Sequence, residues 1–392
     1  MAEVTSRKRF LAASGSVVAA SAFPNIARAE YQAPLSGVAT IAVVAPFTGD
    51  DIKMGEQLAN GARQATDDAN ALKGPLDRAY TIRTFDDQNL LATGMQEAGF
   101  ANDDESIVAV VGHLSGRITE AAMQTYSTAG MPVVCPVSTY DRLTQHGYSD
   151  IVRLATPDSK EGALGARYIV ANVKPNSVVT LTQDGDYGAD VAQGFVSELG
   201  RTKIASTALL FPWEKAKYDE VAAEALSKKP DVIYLAGITK DMGPIVPLLR
   251  AGGFTGPLFA SQGFFDPLTT QKYGKDVEGL TISTSMPPLA IAPGAYRIRS
   301  DFEKKYGPMT PLSAFGYAAA QIVISIVRRT NAQDRVAVMR ALNSSPLFDT
   351  VVGEFQFQNN GDPLNPQSYF YTVKDGAWKY VGSAVPSSFV VK

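Results

Sequence analysis

Two short apolar runs in this chain end in loops whose residue types suit one kind of ligand. Ile107–Val111 breaks into Gly112-His113-Leu114-Ser115-Gly116, and Met131–Val134 breaks into Cys135-Pro136-Val137-Ser138-Thr139. Where parallel strands end, ligands settle against the loops that follow. Backbone N–H groups and Ser/Thr hydroxyls in such loops are donors, so they favour a carboxylate or phosphate over a cation. The chemistry these residues point to is the holding of a small anion or zwitterion.

Other chemistries lack their residues. Two histidines, His113 and His146, and one cysteine, Cys135, are too few for a zinc site. No Gly-x-Ser-x-Gly elbow, phosphate-binding Walker loop or Gly-x-Gly-x-x-Gly follows a strand. The adjacent acids Asp86-Asp87 and Asp103-Asp104 read as solvated loop faces, and His113 as a hydrogen-bonded structural histidine inside the presumed cleft. Cys135 reads as a small buried hydrophobe. Asp184-Gly185-Asp186-Tyr187-Gly188-Ala189-Asp190 alternates acids around glycine but lacks the closing bidentate Glu of a calcium loop. Asx turns and a helix cap account for it, with Tyr187 as a candidate at a cleft edge. No metal, cofactor or catalytic residue is expected.

The elements that must position these loops alternate along the chain. Strands are expected at Thr40–Ala45, Thr81–Phe85, Ile107–Val111, Pro132–Val134 and Ile151–Leu154. They resume at Ser177–Leu181, Thr207–Leu210, Val232–Leu235 and Leu258–Ala260. Helical stripes lie between them: Leu58, Ala62, Ala65 and Ala69; Ile118, Ala121, Ala122 and Tyr126; Val191, Phe195 and Leu199. This alternation predicts an α/β fold with doubly wound parallel sheets. After Met286-Pro287-Pro288 come helices at Ala295–Tyr306, Ala314–Arg328 and Asp334–Ala341. The chain ends in β-like pieces at Val351–Phe357, Tyr369–Val373 and Trp378–Val381. Two βα runs and a length of 392 residues predict two lobes.

Charge and the N-terminus narrow the setting. Arg7-Lys8-Arg9, an apolar run from Phe10 to Phe23 and Ala27-Arg28-Ala29 read as an export signal over residues 1–29, cleaved near Ala29. Ser6-Arg7-Lys8-Arg9-Phe10-Leu11 resembles a twin-arginine motif with Lys for the second arginine, which leaves the general secretory route open. The expected location is the periplasm. Without those residues, 32 basic and 38 acidic side chains leave a net charge of −6. That balance argues against nucleic acid as a partner. No later stretch has ~18 consecutive apolar residues, the length a membrane span needs.

Several segments together carry a resemblance. They are Ile41-Ala42-Val43-Val44-Ala45-Pro46-Phe47-Thr48-Gly49, Asn60-Gly61-Ala62-Arg63-Gln64-Ala65, Val111-Gly112-His113-Leu114-Ser115, Leu143-Thr144, Tyr168-Ile169, Asp186-Tyr187-Gly188 and Asp241-Met242-Gly243. In this order and spacing they resemble the periplasmic solute-binding proteins of ABC importers, of the leucine/isoleucine/valine-binding type, over essentially the whole mature chain. The resemblance implies a type I periplasmic binding protein fold: two doubly wound lobes, a ligand cleft between them and three hinge crossings. Lobe 1 would take 31–156 and 286–362, and lobe 2 would take 157–285 and 363–392. The hinges would lie near Ala155–Asp158, Ser285–Pro288 and Asp362–Pro366.

The same resemblance implies a site. Ser115, Gly116, Ser138 and Thr139 would hold a ligand carboxylate. Tyr187, Thr239 (or Ile238) and Gln262 would face it from lobe 2, and Met54 would form a pocket wall. Gln262 stands where the branched-chain binders have an acid for the ligand ammonium. A neutral amide supplies no Coulomb attraction to a desolvated ammonium, so leucine-like ligands are expected to bind weakly. The family's first-lobe disulfide is absent, its positions matching Asn89 and Ser115. Arg117 is placed either to meet a second ligand carboxylate or to lie solvated in the next helix. Asp266 is placed either to replace the missing acid or to cap a helix.

The implied function is the extracytoplasmic substrate-binding component of an ABC transporter. It would capture a small carboxylate solute by hinge closure, an amino acid by default, and deliver it to an inner-membrane permease. It would act as a monomer and perform no reaction. A ligand-sensing receptor of the same fold, and a binder of a non-amine aromatic, keto or hydroxy acid, are the alternatives.

Overall fold

The computed structural model describes residues 37–73, 78–212, 214, 217–290, 292–332, 334–344 and 346–384. The expected export signal lies outside them. The first run of elements is β1 (Val38–Ala45), α1 (Ile52–Ala71), β2 (Ala79–Asp86), α2 (Leu91–Asp103), β3 (Ile107–Gly112), α3 (Gly116–Thr128), β4 (Val133–Cys135) and β5 (Ile151–Arg153). Its five strands pair in parallel in the order β2-β1-β3-β4-β5. Every residue of β3 is buried, as is all of β1 except Val38. These strands are therefore near-continuous apolar runs without alternation, as a sheet covered on both faces requires.

The second run is α4 (Asp158–Asn172), β6 (Ser177–Gln183), α5 (Asp186–Leu199), β7 (Ala205–Phe211), α6 (Tyr218–Ser227), β8 (Val232–Ala236), α7 (Thr239–Met242), α8 (Ile245–Ala251), β9 (Leu258–Ala260), α9 (Pro267–Tyr273) and β10 (Thr281–Thr284). The chain then returns to the first sheet with α10 (Pro293–Tyr306), α11 (Pro311–Thr330), α12 (Arg335–Asn343) and the hairpin β11 (Phe348–Thr350) and β12 (Gly353–Phe355). It ends on the second sheet with β13 (Ser368–Lys374) and β14 (Ala377–Ala384). That sheet runs β14-β13-β10-β9-β8-β6-β7, with β13 and β14 antiparallel at its edge. The single β-like piece expected over Val351–Phe357 is thus a hairpin that turns at Val351-Val352.

Leaving aside β13 and β14, both sheets share one winding, in which the strand order reverses between the first and third strands. The reversal lies between β1 and β3 in one sheet and between β6 and β8 in the other. Crevices for ligands open at such reversals, beyond the carboxyl ends of the strands.

α11 is long and apolar enough to cross a membrane by length and composition, yet most of it is buried in the first core. A helix apolar all round belongs in a core when packing surrounds it. α1 lies against it so closely that a Cβ on Gly61 would sit 1.9 Å from the Ser313 carbonyl oxygen, and one on Gly316 would sit 2.3 Å from that of Leu58.

Two sequence expectations change here. Asp87 is not a solvated face: it is 1% exposed, and its Oδ2 lies 2.7 Å from Nδ1 of fully buried His113, whose Nε2 is 3.1 Å from the Tyr126 hydroxyl. His113 is structural, as expected, but it stands behind the sheet instead of in the cleft. Asp86 is also engaged, accepting from the Phe47 N–H at 2.7 Å and the Thr48 hydroxyl at 2.6 Å. Adjacent acids at a strand end had more local donors to meet than loop composition suggested.

The first and third crossings between sheets are tied together. Arg153, 1% exposed, donates to Asp362 Oδ1 at 2.7 Å, the Tyr140 carbonyl at 2.6 Å and the Thr144 hydroxyl at 2.8 Å. The Thr156 hydroxyl donates to the Gln367 carbonyl at 2.6 Å, linking the first crossing to the third.

Candidate functional site

The loops that leave β3 and β4 face those that leave β6 and β8 across a cleft of about 450 Å³. That volume suits a small solute. Ser115, Gly116, Ser138 and Thr139 all line it, because each comes three or four residues after its strand ends. Gly116 fits no other side chain: a Cβ there would stand 2.3 Å from Ser138 Oγ and 2.5 Å from Tyr140 Cβ. Ser138 is 4% exposed and its Oγ has no hydrogen-bond partner. A buried hydroxyl left unpaired beside a cleft is a donor held ready for a ligand.

On the opposite side Tyr187, in the first turn of α5, lines the cleft, and its hydroxyl accepts the Gly263 N–H at 2.9 Å. Thr239 does not line it. Its side chain is fully buried, with the hydroxyl 2.5 Å from that of Thr269 and 3.3 Å from the Gly263 carbonyl. Ile238, the extended residue just before α7, lines the cleft in its place. Gln262 also stands outside the lining. Its N–H donates to Glu161 Oε1 at 2.8 Å, and its side-chain oxygen turns to the Thr284 and Ser285 hydroxyls, 3.5 Å from each.

Three further expectations are redirected. Met54 is exposed in the first turn of α1, one turn before the buried Leu58, and is not part of the cleft wall. Asp266 caps α9, accepting from the Leu268 N–H at 2.7 Å. Arg117 reaches across the cleft mouth to Asp186, which Arg142 also meets at 3.1 Å. The acid-rich loop is capped by Gly185, at φ 117°, and not by an aspartate side chain. Asp186 is left free to serve as this inter-sheet latch.

Sequence reasoning missed Asp158, Gln183 and Asp241, all of which line the cleft. Gln183 braces the wall, donating to Asp241 Oδ2 at 2.7 Å and accepting the Ile238 N–H at 2.8 Å. Asp158 opens α4 directly after the first crossing, and its N–H donates to the Thr139 carbonyl at 2.9 Å. The signal for it was an acid placed just after Pro157 at an expected hinge. Burial raises its pKa well above the ordinary carboxylate range, and Glu161 and Asp141 add to the rise. Glu161, 1% exposed, is pushed up to about 7 by burial, against the bonds from Gln262 and Ser283.

A family model described as periplasmic binding protein matches residues 38–377. The chain belongs to the periplasmic binding protein family. An amino acid binding protein of Pseudomonas aeruginosa is 27% identical over 348 residues, covering 87% of this chain and 91% of that relative. Among solved structures, the ABC transporter substrate-binding protein of Desulfitobacterium hafniense in complex with Leu superposes with a TM-score of 0.76 at 23% identity, covering 88% of this chain and 100% of that one. A solute binding protein of an R. palustris ABC transporter, in complex with benzoate, gives a TM-score of 0.70 at 17% identity, with 89% and 97% covered. These structures share the two-sheet fold. In this periplasmic binding protein one side of the cleft offers hydroxyls and the Arg117 guanidinium and no acid, and the other carries four acids, Asp158, Asp184, Asp186 and Asp241.

Proposed function

We propose that the protein is the extracytoplasmic substrate-binding component of an ABC transporter. It captures a small carboxylate solute between two lobes that hinge at the three crossings and hands it to a membrane permease. The observation that carries this reading is the pairing of two donor loops, ending in Ser115-Gly116 and Ser138-Thr139, with the reversal point of the facing sheet across one cleft. The likeness to an amino acid binding protein makes an amino acid the first ligand to test. The benzoate complex of a more distant structural neighbour keeps aromatic acids in the panel.

A thermal-shift screen of amino, keto and aromatic acids tests the reading. A true ligand at ~1,000 times its Kd stabilises the protein by about 4 kcal/mol, a readily visible shift. Absence of a shift across the whole panel would overturn it. Recovery of the ligand unchanged after incubation separates a receptor from an enzyme. Uptake that depends on this protein and a membrane permease separates transport from sensing.

A further inference from the structure

Three acids from distant parts of the chain meet where the run that builds the first sheet joins the run that builds the second. Asp141 opens the short 3₁₀ helix Asp141–Thr144 before β5, Asp158 opens α4 directly after the first crossing, and Asp190 lies one turn into α5. One carboxylate oxygen from each lies within 4.8 Å of the others. The Ser159 N–H donates to Asp141 Oδ1 at 3.1 Å, which draws that carboxyl over the start of α4. Of the alternating acids Asp184, Asp186 and Asp190, only Asp190 belongs to this cluster, so the fold and not the acid-rich loop creates it.

Exposed acids gather at little cost where water screens them. This cluster differs because a buried side chain is aimed into it. Asp158 is 2% exposed, and its Oδ1 has no hydrogen-bond partner. A buried carboxylate among other carboxylates is unfavourable until a positive group joins it. The neighbouring arginines are engaged elsewhere: Arg153 with Asp362, Tyr140 and Thr144, and Arg142 with Asp186. Acids also dominate the local field. Glu161 and Asp141 act on Asp158 more strongly than Arg153 does, and Asp141 and Asp186 act on Asp190 more strongly than Arg142 does.

The chemistry of the donors selects the cation. All three are carboxylates, the ligands of a hard divalent ion, and the cluster holds no thiolate or imidazole to favour zinc. Calcium–oxygen bonds of about 2.4 Å let one ion span oxygens up to ~4.8 Å apart, whereas the ~2.1 Å bonds of magnesium ask for a tighter triangle. We propose that Asp141, Asp158 and Asp190 form a calcium site that clips the joint between the two sheets, with water in the remaining positions. Asp158 lines the cleft, and Asp141 lines a second groove of about 530 Å³. The ion stands in the wall between them and enters from the groove, so its binding does not require a solute in the cleft.

Calcium titration of the chelator-stripped mature protein, with no solute added, tests the site apart from the receptor reading. Calorimetry should give one ion per chain with a Kd below about 100 μM, and magnesium at least roughly tenfold weaker. Saturating calcium should raise Tm by several degrees. Asp190→Asn alters a partly exposed helix position and should weaken calcium by roughly 10-fold or more. Asp158→Asn should abolish binding while matching or exceeding the wild-type Tm without calcium, because it relieves the repulsion. Asp301→Asn, an exposed acid on α10, should leave the Kd within about threefold. No binding up to about 5 mM calcium, magnesium bound as tightly as calcium, or wild-type affinity in Asp190→Asn would overturn the site. Should Asp158→Asn fail to fold, the Asp190→Asn titration decides alone.

Discussion

The two walls of the cleft hold a ligand by different physics. The wall after β3 and β4 offers hydroxyls and backbone N–H groups and no acid, while the wall formed by α4, β6 and β8 offers Asp158, Asp184, Asp186 and Asp241. Neutral donors keep their character over the whole working pH range. Of these acids only Asp158 is buried, and the charge of a buried acid depends on what lies beside it. One wall is therefore a fixed anchor, and the other is a variable field that discriminates among the ligands the anchor accepts. The contrast extends behind the walls: Ser138 backs onto a glycine, whereas Gln262 and Ser283 donate to the buried carboxyl of Glu161.

The largest expected effect comes from Glu161. Its folded pKa of about 7 lies above the ordinary value of 4.5. The folded state therefore keeps a proton that the unfolded chain has released. Its contribution to stability is complete below about pH 4.5, falls as pH rises, and is lost above about pH 7. The shift corresponds to about 3 kcal/mol. Denaturant unfolding across that window should show the wild type losing about this much relative to Glu161→Gln, which mimics the protonated acid. Parallel pH profiles for the two proteins would mean that the carboxyl behind the second wall does not titrate and that the contrast does not extend behind the walls.

Next comes the anchor. Ser138→Ala with Thr139→Ala removes hydrogen bonds to a charged group, each worth roughly 1.5–3 kcal/mol. The expected loss is on the order of 100-fold in affinity by calorimetry, with the same ratio at acid and neutral pH for a given ligand charge. An unchanged Kd would refute the assignment of that loop. Gly116→Ala probes the same wall through space alone. Its Cβ falls on Ser138 Oγ and Tyr140, and a displaced hydroxyl should weaken binding by about 10-fold with little change in Tm, since the strain is relieved at the cleft surface.

Legibility in the sequence divided along the same line. Ser115, Gly116, Ser138 and Thr139 sit three or four residues past buried strands, so the strand pattern alone carried them to the cleft. The second wall depends on phase and on long-range packing. A shift of one residue at the start of α7 exchanges Ile238, which lines the cleft, for Thr239, which is buried. Gln262 follows its strand just as Ser138 does, yet its side chain turns to hydroxyls at the end of β10 and beyond, a neighbour set by sheet order. Asp158 acquires its surroundings only where α4 meets Thr139 and Asp141 from the other sheet. The alternation of strands and helices was readable because buried parallel strands are apolar throughout. The return of α10–α12 to the first core was not, since no local pattern says which sheet a helix covers.

The smallest expected effect concerns the latch at the cleft mouth. Arg117 and Arg142 meet Asp186 from partners 69 and 44 residues away in sequence, with both arginine side chains more than half exposed. Exposed ion pairs contribute little and are screened by salt. Asp186→Asn should therefore weaken ligand binding by no more than about fivefold at low salt, mainly through faster dissociation, and by almost nothing at high salt. Stopped-flow release measured at both ionic strengths checks this. A loss as large as that of the Ser138/Thr139 variant, and insensitive to salt, would place Asp186 against the ligand itself. The acidic wall would then hold its ligand by a carboxylate contact at the mouth.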